Sequence, residues 1–378
     1  MNITIAAAGL PSTEYPLNGI FEFEQAKALL SAGHHVTYLS FDFRPYSYKR
    51  RLGFYRGEKD GIKTYTISVP TGIYRRFMPA LQLTARYVFA KIEKEQGPQD
   101  ILNAHFYSIG AICSTIPLHY KARLVVTEHS SKLNKEASAI SALDKRVARA
   151  AYRNASAVIA VSEALASHLR SNFNIQACVI GDMVNFSVFS NITKTPHKGF
   201  NIISVGRLIK GKGFEELIES VNLVVHKYNH HDVQLTIIGE GTMRAAIEQL
   251  IKGYSLSGNV KLSGEQNHSA IAREMSDSDL FVLLSDSETF GVSYAEAICA
   301  GIPVIATRCG GPETFINNNN GILVSKENCV TETSNAITSI LNGEIKFNTK
   351  VVKETSAAFH PQTIAQKISD IFSQLKKN

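Results

Sequence analysis

The amino-acid sequence predicts an α/β protein of two doubly wound, parallel-sheet domains in series. Three observations carry this. Short apolar, β-branched runs alternate with helix-length segments, as in a parallel sheet covered on both faces. The alternation restarts after a polar stretch at 187–199 (SVFSNITKTPHKG). The length of 378 residues exceeds one ordinary core, so two domains of roughly 180 residues each are expected.

In the first half the expected strands are 2–8 (NITIAAA), 35–41 (HVTYLSF), 63–69 (KTYTISV), 100–105, 123–128 (RLVVTE) and 157–161 (AVIAV). Between the first two, FEFEQAKALLSAGH has helical apolar spacing and ends on Gly33, a glycine cap. In the second half the expected strands are 200–205 (FNIISV), 233–238 (VQLTII), 259–262, 279–284 (DLFVLL) and 302–306 (IPVIA). Residues 361–377 (PQTIAQKISDIFSQLKK) form an amphipathic helix opened by Pro361. Facing strand ends of two such sheets would create a cleft for a ligand.

Composition narrows the function classes. Hydrophobic residues at 44% and charged residues at 19% exclude a disordered chain. No stretch approaches the ~20 apolar residues that cross a bilayer. The start MNITIAAAGLP lacks a basic region and reads as a strand, not a signal peptide. Cys113, Cys178, Cys299, Cys309 and Cys329 form no disulfide framework or zinc motif, which points to a reducing cytosol.

Charge is uneven. Residues 1–190 hold 22 Lys/Arg against 14 Asp/Glu (22 − 14 = +8), the remainder 18 against 19 (−1). Most of the excess lies in 44–91: Arg44, Lys49, Arg50, Arg51, Arg56, Lys59, Lys63, Arg75, Arg76, Arg86 and Lys91 face only Glu58 and Asp60, with Tyr46, Tyr48, Tyr55 and Tyr74 among the interleaved aromatics. Two readings stand: a solvated basic face, or a surface for anionic lipid headgroups or a phosphate-bearing acceptor. No nucleic-acid-binding signature accompanies it.

Chemistry concentrates in the second half. In SVGRLIKGKGFEELIESV (204–221) a strand ends at Gly206, followed by Arg207, Lys212 and a helix. Cations and helix-start amides at such a junction suit a diphosphate. In GEGTMRAAIEQL (239–250) Gly239 opens a turn, but Arg244 replaces the third glycine of a dinucleotide fingerprint, which argues against NAD. SDSETFGVSYAEAICAGIPVIA (285–306) sets Glu288 in a loop and Glu296 in a largely apolar helix, a Glu-x7-Glu spacing. A buried carboxylate needs donors; a ribose diol and a structural amide or lysine are the alternatives. Phe290, Gly291 and Val292 place bare amides at that helix start. In CGGPETFI (309–316) Gly310 and Gly311 read as turn geometry.

The ordered series GRL…KG, GxG, SxxExFG…xEAxxxGxPVIA and GGxE resembles the retaining nucleotide-sugar glycosyltransferases of family four (the group 1 glycosyltransferases) with the GT-B fold. PLNGIFEFEQAKALLSAGHHVTYLS, VVTEHSS (125–131) and ASAVIAVSEAL (155–165) extend the likeness over the first half. The resemblance implies two Rossmann-like domains facing across a cleft. It implies that Arg207 and Lys212 hold the donor diphosphate, that Glu296 binds the ribose and that Glu288 contacts hydroxyls of the sugar. The amides of Phe290, Gly291 and Val292 would meet sugar or phosphate, with Gly206 and Gly239 shaping the donor site. Gly19 would let its loop approach the phosphates, and His129 and His105 would lie near the reacting sugar. Three departures are visible: Asp182-Met183 where relatives have an Asn-Gly turn, Asn18-Gly19 for a double glycine, and Asp277-Ser278-Asp279, similar to a metal motif but better read as a helix-end turn.

The expected organisation is an acceptor-side domain at 1–187, a donor-nucleotide domain at 188–359, and a helix at 360–378 returning to the first. The expected activity is metal-independent, retaining transfer of a hexosyl or related sugar, from a UDP-sugar, to a saccharide or lipid-linked acceptor. It would serve surface polysaccharide or glycolipid synthesis in the cytoplasm, peripheral to the inner face of the plasma membrane, with no cofactor beyond the nucleotide-sugar co-substrate. The alternatives are a non-catalytic nucleotide-sugar-binding partner in a heteromeric transferase and another GT-B enzyme, such as an epimerase.

Overall fold

The computed structural model describes residues 1–45, 47–70 and 77–377. The chain divides into two compact units, Met1–Met183 together with the segment from Pro361 onward, and Val184–His360. Val184–Ser187 thus belong with the second unit.

The first unit runs β1 (Asn2–Ala7), α1 (Ile20–Ser31), β2 (His35–Asp42), β3 (Gly53–Lys59), β4 (Ile62–Ser68), α2 (Met78–Gln96), β5 (Ile101–His105), α3 (Phe106–Cys113), β6 (Arg123–Glu128), α4 (Ala142–Tyr152), β7 (Ala157–Ala160), α5 (Glu163–Phe173) and β8 (Cys178–Val179). Its eight strands lie in the order β3-β4-β2-β1-β5-β6-β7-β8. Every pairing is parallel except β3 with β4. Burial on both faces explains the near-continuous apolar strands: Ile3, Ile5, Tyr38 and Leu39 are fully buried.

The β3 hairpin was missed in the sequence pattern because β3 is mostly exposed and does not alternate. Its turn did carry a signal. Asp60 (φ 50°) and Gly61 (φ 78°) both have positive φ, the mirror-image turn that Asp-Gly favours. The four strands from 35–41 to 123–128 lie within a residue or two of expectation, as do those at 2–8 and 157–161.

The second unit opens with the short α6 (Phe186–Phe189) and continues through β9 (Phe200–Val205), α7 (Phe214–Asn222), β10 (Val233–Ile238), α8 (Arg244–Gly253), β11 (Val260–Leu262), α9 (His268–Ser276), β12 (Leu280–Leu283), α10 (Val292–Cys299), β13 (Val304–Thr307), β14 (Gly321–Val324), α11 (Cys329–Leu341) and α12 (Thr349–Thr355). The six strands are parallel in the order β11-β10-β9-β12-β13-β14. Both units are therefore parallel-sheet α/β domains, strand order reversing beside β1 in one and beside β9 in the other.

The chain then returns to the first unit as α13 (Pro361–Lys377). Ile364, Ile368 and Phe372 recur at helical spacing and are buried in one cluster with Phe23, Ala26 and Leu29 of α1. The joint has polar anchors as well: Ser369 Oγ lies 2.8 Å from His34 Nε2, and Lys376 Nζ 2.9 Å from Asp100. Phe372→Ala should therefore destabilise the first unit by about 3–5 kcal/mol, read by equilibrium denaturation. A loss under about 1 kcal/mol would mean that α13 is not part of that core.

Candidate active site

In an open parallel sheet the β–α loops leave from the carboxyl ends of the strands, and a crevice opens where strand order reverses. In the second unit that point lies between β9 and β12. Gly206, Arg207 and Lys212 follow β9, Glu288 follows β12, and Gly239 follows β10, so one sheet edge brings the expected donor residues together.

Two loops are locked there. Gly213 caps α7 at φ 70°, and a Cβ on it would fall 2.0 Å from the Leu284 carbonyl oxygen. Only glycine permits this approach. The Asp286 amide donates to the Gly211 carbonyl at 2.9 Å. Side chains complete the join: Lys212 Nζ lies 2.6 Å from Glu288 Oε1, and Ser285 Oγ donates to the same oxygen at 2.8 Å. Lys212 keeps 24% of its side-chain surface and Glu288 14%, so the ammonium is held yet reachable. Arg207 is exposed. The Gly206 amide donates to Ile238 and the Gly239 amide to Gly264, which ties the two turns to neighbouring strands.

The backbone of Glu288 is pinned to the next loop. Its amide donates to Cys309 and its carbonyl accepts from Gly311, with a Cβ on Gly311 meeting Phe290 backbone at 2.5 Å. Gly310 and Gly311 thus serve turn geometry. Phe290 is buried, packed on Phe315 and Phe359 with ring centroids 5.0 and 5.9 Å away. Its ring is a structural wedge, and only its backbone faces the helix start. Gly291 is the N-cap of α10 and Val292 its first residue, where N–H groups have no partner in a preceding turn.

Glu296 sits on α10 and is 6% exposed. Burial raises its carboxyl to about 8. His268 Nε2 is 3.8 Å from Oε1. Asp277 ends α9, and Asp279 accepts from Lys194 Nζ (2.7 Å) and the Asn201 amide (3.0 Å), so this pair is structural. Among the described residues no three His, Cys, Asp or Glu side chains gather as a metal site requires.

The first unit holds the remaining candidates. Gly19 caps α1 at φ 75°, and a Cβ on it would lie 2.6 Å from the Gly9 carbonyl oxygen. His105 ends β5 and is fully buried; His129 follows β6. Their rings stack at 5.1 Å, with His105 Nδ1 2.9 Å from His129 Nε2. Phe106, at φ 66°, folds its ring 5.2 Å from His129. A bulky residue in that region marks strain held by its surroundings.

A polarised chain of hydrogen bonds sets the ring tautomers. Asn103 Nδ2 donates to the Val125 carbonyl (3.3 Å) and Thr127 Oγ1 (2.8 Å), leaving Oδ1 to accept from Gln25 Nε2 (2.8 Å). That same nitrogen is 3.3 Å from His105 Nε2. His105 then donates from Nδ1 to His129 Nε2, and His129 donates from Nδ1 to Asp182 at 3.0 Å. Both His129 nitrogens are thus engaged inside the unit.

Charge works against that order. Burial lowers the His129 pKa, but Asp182, Glu22 and Glu128 outweigh it and raise the value above 6.5. His105 is pushed well below 6.5, by burial first and then by His129. Glu128 is fully buried; its carboxylate accepts from the amides of Tyr107, His129 and Ser130 and from the Tyr152 hydroxyl. The TEHSS turn therefore hangs on this carboxylate. The sequence marks Asp182 only as a departure from an Asn-Gly turn; Gln25 and Glu128 lie inside segments that carry the resemblance but have no role assigned there, and Asn103 has none either.

Because its folded value is raised, His129 contributes stability that is fully present below pH 6.5 and is lost as pH rises beyond 6.5 through the raised folded value. Asp182→Asn should move the His129 titration to lower pH, read by the imidazole proton shifts in NMR. An unmoved titration would show that Asp182 does not control the ring.

With the geometry established, likeness to known proteins can be read. Residues 22–186 match the family model of Glycosyltransferase Family 4, and residues 185–357 that of Glycosyl transferases group 1. N-acetyl-alpha-D-glucosaminyl L-malate synthase of Bacillus anthracis is 24% identical over 323 residues, covering 81% of this chain and 80% of its own. The gpi3 subunit of phosphatidylinositol N-acetylglucosaminyltransferase of Schizosaccharomyces pombe is 25% identical over 338 residues, 86% of this chain and 71% of its own. The structure of Anabaena HepE in complex with UDP-glucose is similar at a TM-score of 0.71 and 18% identity, covering 99% of this chain and 100% of that one. At that identity the likeness is one of fold. Two parallel-sheet units, matched in tandem over residues 22–357 by these two models, show that the chain belongs to the glycosyltransferases, a family-four domain followed by a group 1 domain in the GT-B fold.

Proposed function

We propose that this protein transfers a sugar from a UDP-sugar to a saccharide or lipid-linked acceptor, in synthesis of a surface polysaccharide or glycolipid, with retention of configuration and without a metal. One observation carries the reading: the Lys212–Glu288 pair at the strand-order reversal of the second sheet, next to the amides that open α10. Named relatives act on N-acetylglucosaminyl groups and a phosphatidylinositol acceptor, and a structural neighbour holds UDP-glucose, which supports the donor and acceptor classes.

In this reading a bound diphosphate draws Lys212 from Glu288, with exposed Arg207 as a second cation. Positive charge then grows more favourable as the leaving diphosphate gains charge, so the pair acts by electrostatic stabilisation of the transition state. Glu288, released from the ammonium, accepts from hydroxyls of the sugar. The acceptor attacks on the face from which the nucleotide departs, and a leaving phosphate oxygen takes its proton. No protein nucleophile is needed. In the first unit His129 and Gly19 shape the acceptor side, with His105 setting the His129 tautomer.

Glu296 is the ribose ligand. Hydroxyl donors favour its ionised form and lower a value that burial has raised to about 8. Nucleotide binding around pH 7 should then release a proton, and affinity should rise as pH increases toward that value. Calorimetry in buffers of differing ionisation enthalpy reads the proton. Glu296→Ala should weaken binding tenfold or more, on the order of one lost charge-assisted hydrogen bond. Unchanged affinity would remove the ribose role.

Turnover is tested with a panel of UDP-, GDP- and ADP-sugars, assaying released nucleoside diphosphate with and without chelator, and the product anomer by NMR. Lys212→Ala should cut turnover by about 10²-fold or more with only a small shift in Tm. An equal loss of stability would make it a structural lysine. Nucleotide binding without any turnover or donor hydrolysis would favour the non-catalytic partner.

A further inference from the structure

A cavity of about 400 Å³ lies wholly within the first unit, in the range of about 300–1,000 Å³ typical of small-molecule sites. It opens at the carboxyl ends of β1, β2 and β4, roofed by the Leu10–Tyr15 loop and walled by Arg44, Lys49, Arg50 and Arg51. Its floor is a row across the sheet. Ser40 on β2 is the register partner of Thr66 on β4, which faces Tyr55 on β3, so the three side chains share one face.

The floor is unusual in its hydrogen bonding. Ser40 is 0% and Thr66 2% exposed, and neither hydroxyl has a hydrogen-bond partner among the described residues. Two adjacent orphan hydroxyls are costly unless something else meets them.

The walls are cationic. Arg44, Lys49, Arg50 and Arg51 line the cavity against Glu14 and Asp42, four positive groups to two negative. Asp42 is spent within the wall. Burial raises its carboxyl, but Arg44 outweighs that with help from Arg50 and holds it below the ordinary carboxylate range. Arg44 is clamped further between Tyr15 and Tyr48, and Arg50 donates to Ser68 Oγ and the Pro45 carbonyl. Lys49 and Arg51 are exposed, Arg51 lying over the Tyr55 ring at 5.2 Å. The braced arginines thus shape the wall, while Lys49 and Arg51 carry charge to the mouth. Part of the basic segment thus lines a cavity; Tyr46, Tyr74, Arg75 and Arg76 lie outside the described residues.

We propose that this cavity binds a phosphate-bearing group of the acceptor, with Lys49 and Arg51 meeting its charge and the Ser40 and Thr66 hydroxyls donating to its oxygens. Calling the ligand an acceptor rests on the proposed transferase function; the binding chemistry does not. Charge-assisted bonds from two cations and two hydroxyls fit a phosphate ester. A lipid headgroup and a soluble sugar phosphate present the same chemistry here, and the test separates them.

Inorganic phosphate is titrated by NMR or calorimetry into wild type, the Lys49→Gln/Arg51→Gln double variant and Thr66→Val. The double variant should weaken phosphate binding by about tenfold or more. Thr66→Val removes an orphan hydroxyl at nearly constant volume, so it should weaken binding while leaving Tm unchanged or raised. A structural hydroxyl would do the reverse. Phosphate affinity equal in all three proteins, or a lower Tm with unchanged affinity in Thr66→Val, overturns the proposal. Phosphatidylcholine vesicles doped with phosphatidic acid form the second arm. Sedimentation with them that phosphate competes away and the double variant abolishes assigns the phosphate to a lipid. Phosphate binding without vesicle binding assigns it to a soluble ester, and absence of both overturns the site. UDP affinity, measured in parallel, reports on the second unit alone, so its failure would sink the donor reading and leave this one standing.

Discussion

The organising constraint is that neighbouring strands in a parallel sheet cannot be joined by tight turns. Each pair needs a crossover, so every strand delivers its following loop to the same edge. Polar residues then collect at carboxyl ends while strand interiors stay apolar. In the second unit this puts the loops after β9 and β12 side by side, and Gly213 lets them touch. In the first it does the same for the loops after β5 and β6, where the two histidines stack. The catalytic candidates are close because of topology before they are close because of any bond.

The two units handle buried polarity differently. The second uses ion pairing at a half-open rim, where Lys212 and Glu288 satisfy each other and remain exchangeable. Glu296 has His268 Nε2 at 3.8 Å rather than a close ion pair, and burial pushes its carboxyl to about 8. The first unit spends its polar groups on a chain from the Val125 carbonyl to Asp182, fully interlocked and directional. A chain of that kind fixes proton positions, since reversing one amide forces its neighbours to reverse. The carboxylates around His129 pull the other way and raise its pKa, so this ring is where the chain responds to pH near neutrality.

Most of the architecture could be read from apolar runs, because strands buried on both faces announce themselves by composition. The exceptions are instructive. β3 is exposed, β8 has two residues, and β14 (Gly321–Val324) begins on a glycine, so none presents a run. Candidate site residues tied to local spacing, Arg207, Lys212, Glu288 and Glu296, are visible for the same reason that motifs are: they lie in single loops or helices. Asp182, Gln25 and Asn103 act through partners distant in sequence. Ser40 and Thr66 likewise become a pair only through strand register. The basic segment misled in one respect, since Arg44 and Arg50 are largely consumed by Asp42, Arg56 by Glu95 and Lys63 by Glu58.

The return of α13 to the first unit has a consequence for biosynthesis. On the ribosome the sheet of the first unit emerges before Val184–His360, but Phe23 and Leu29 lack their covering residues until Ile364, Ile368 and Phe372 have been made. The second unit, contiguous in the chain, has no such wait. The half of the molecule translated first is therefore the half completed last, and its nascent form carries an open apolar stripe on α1 that invites chaperones and proteases in the interval.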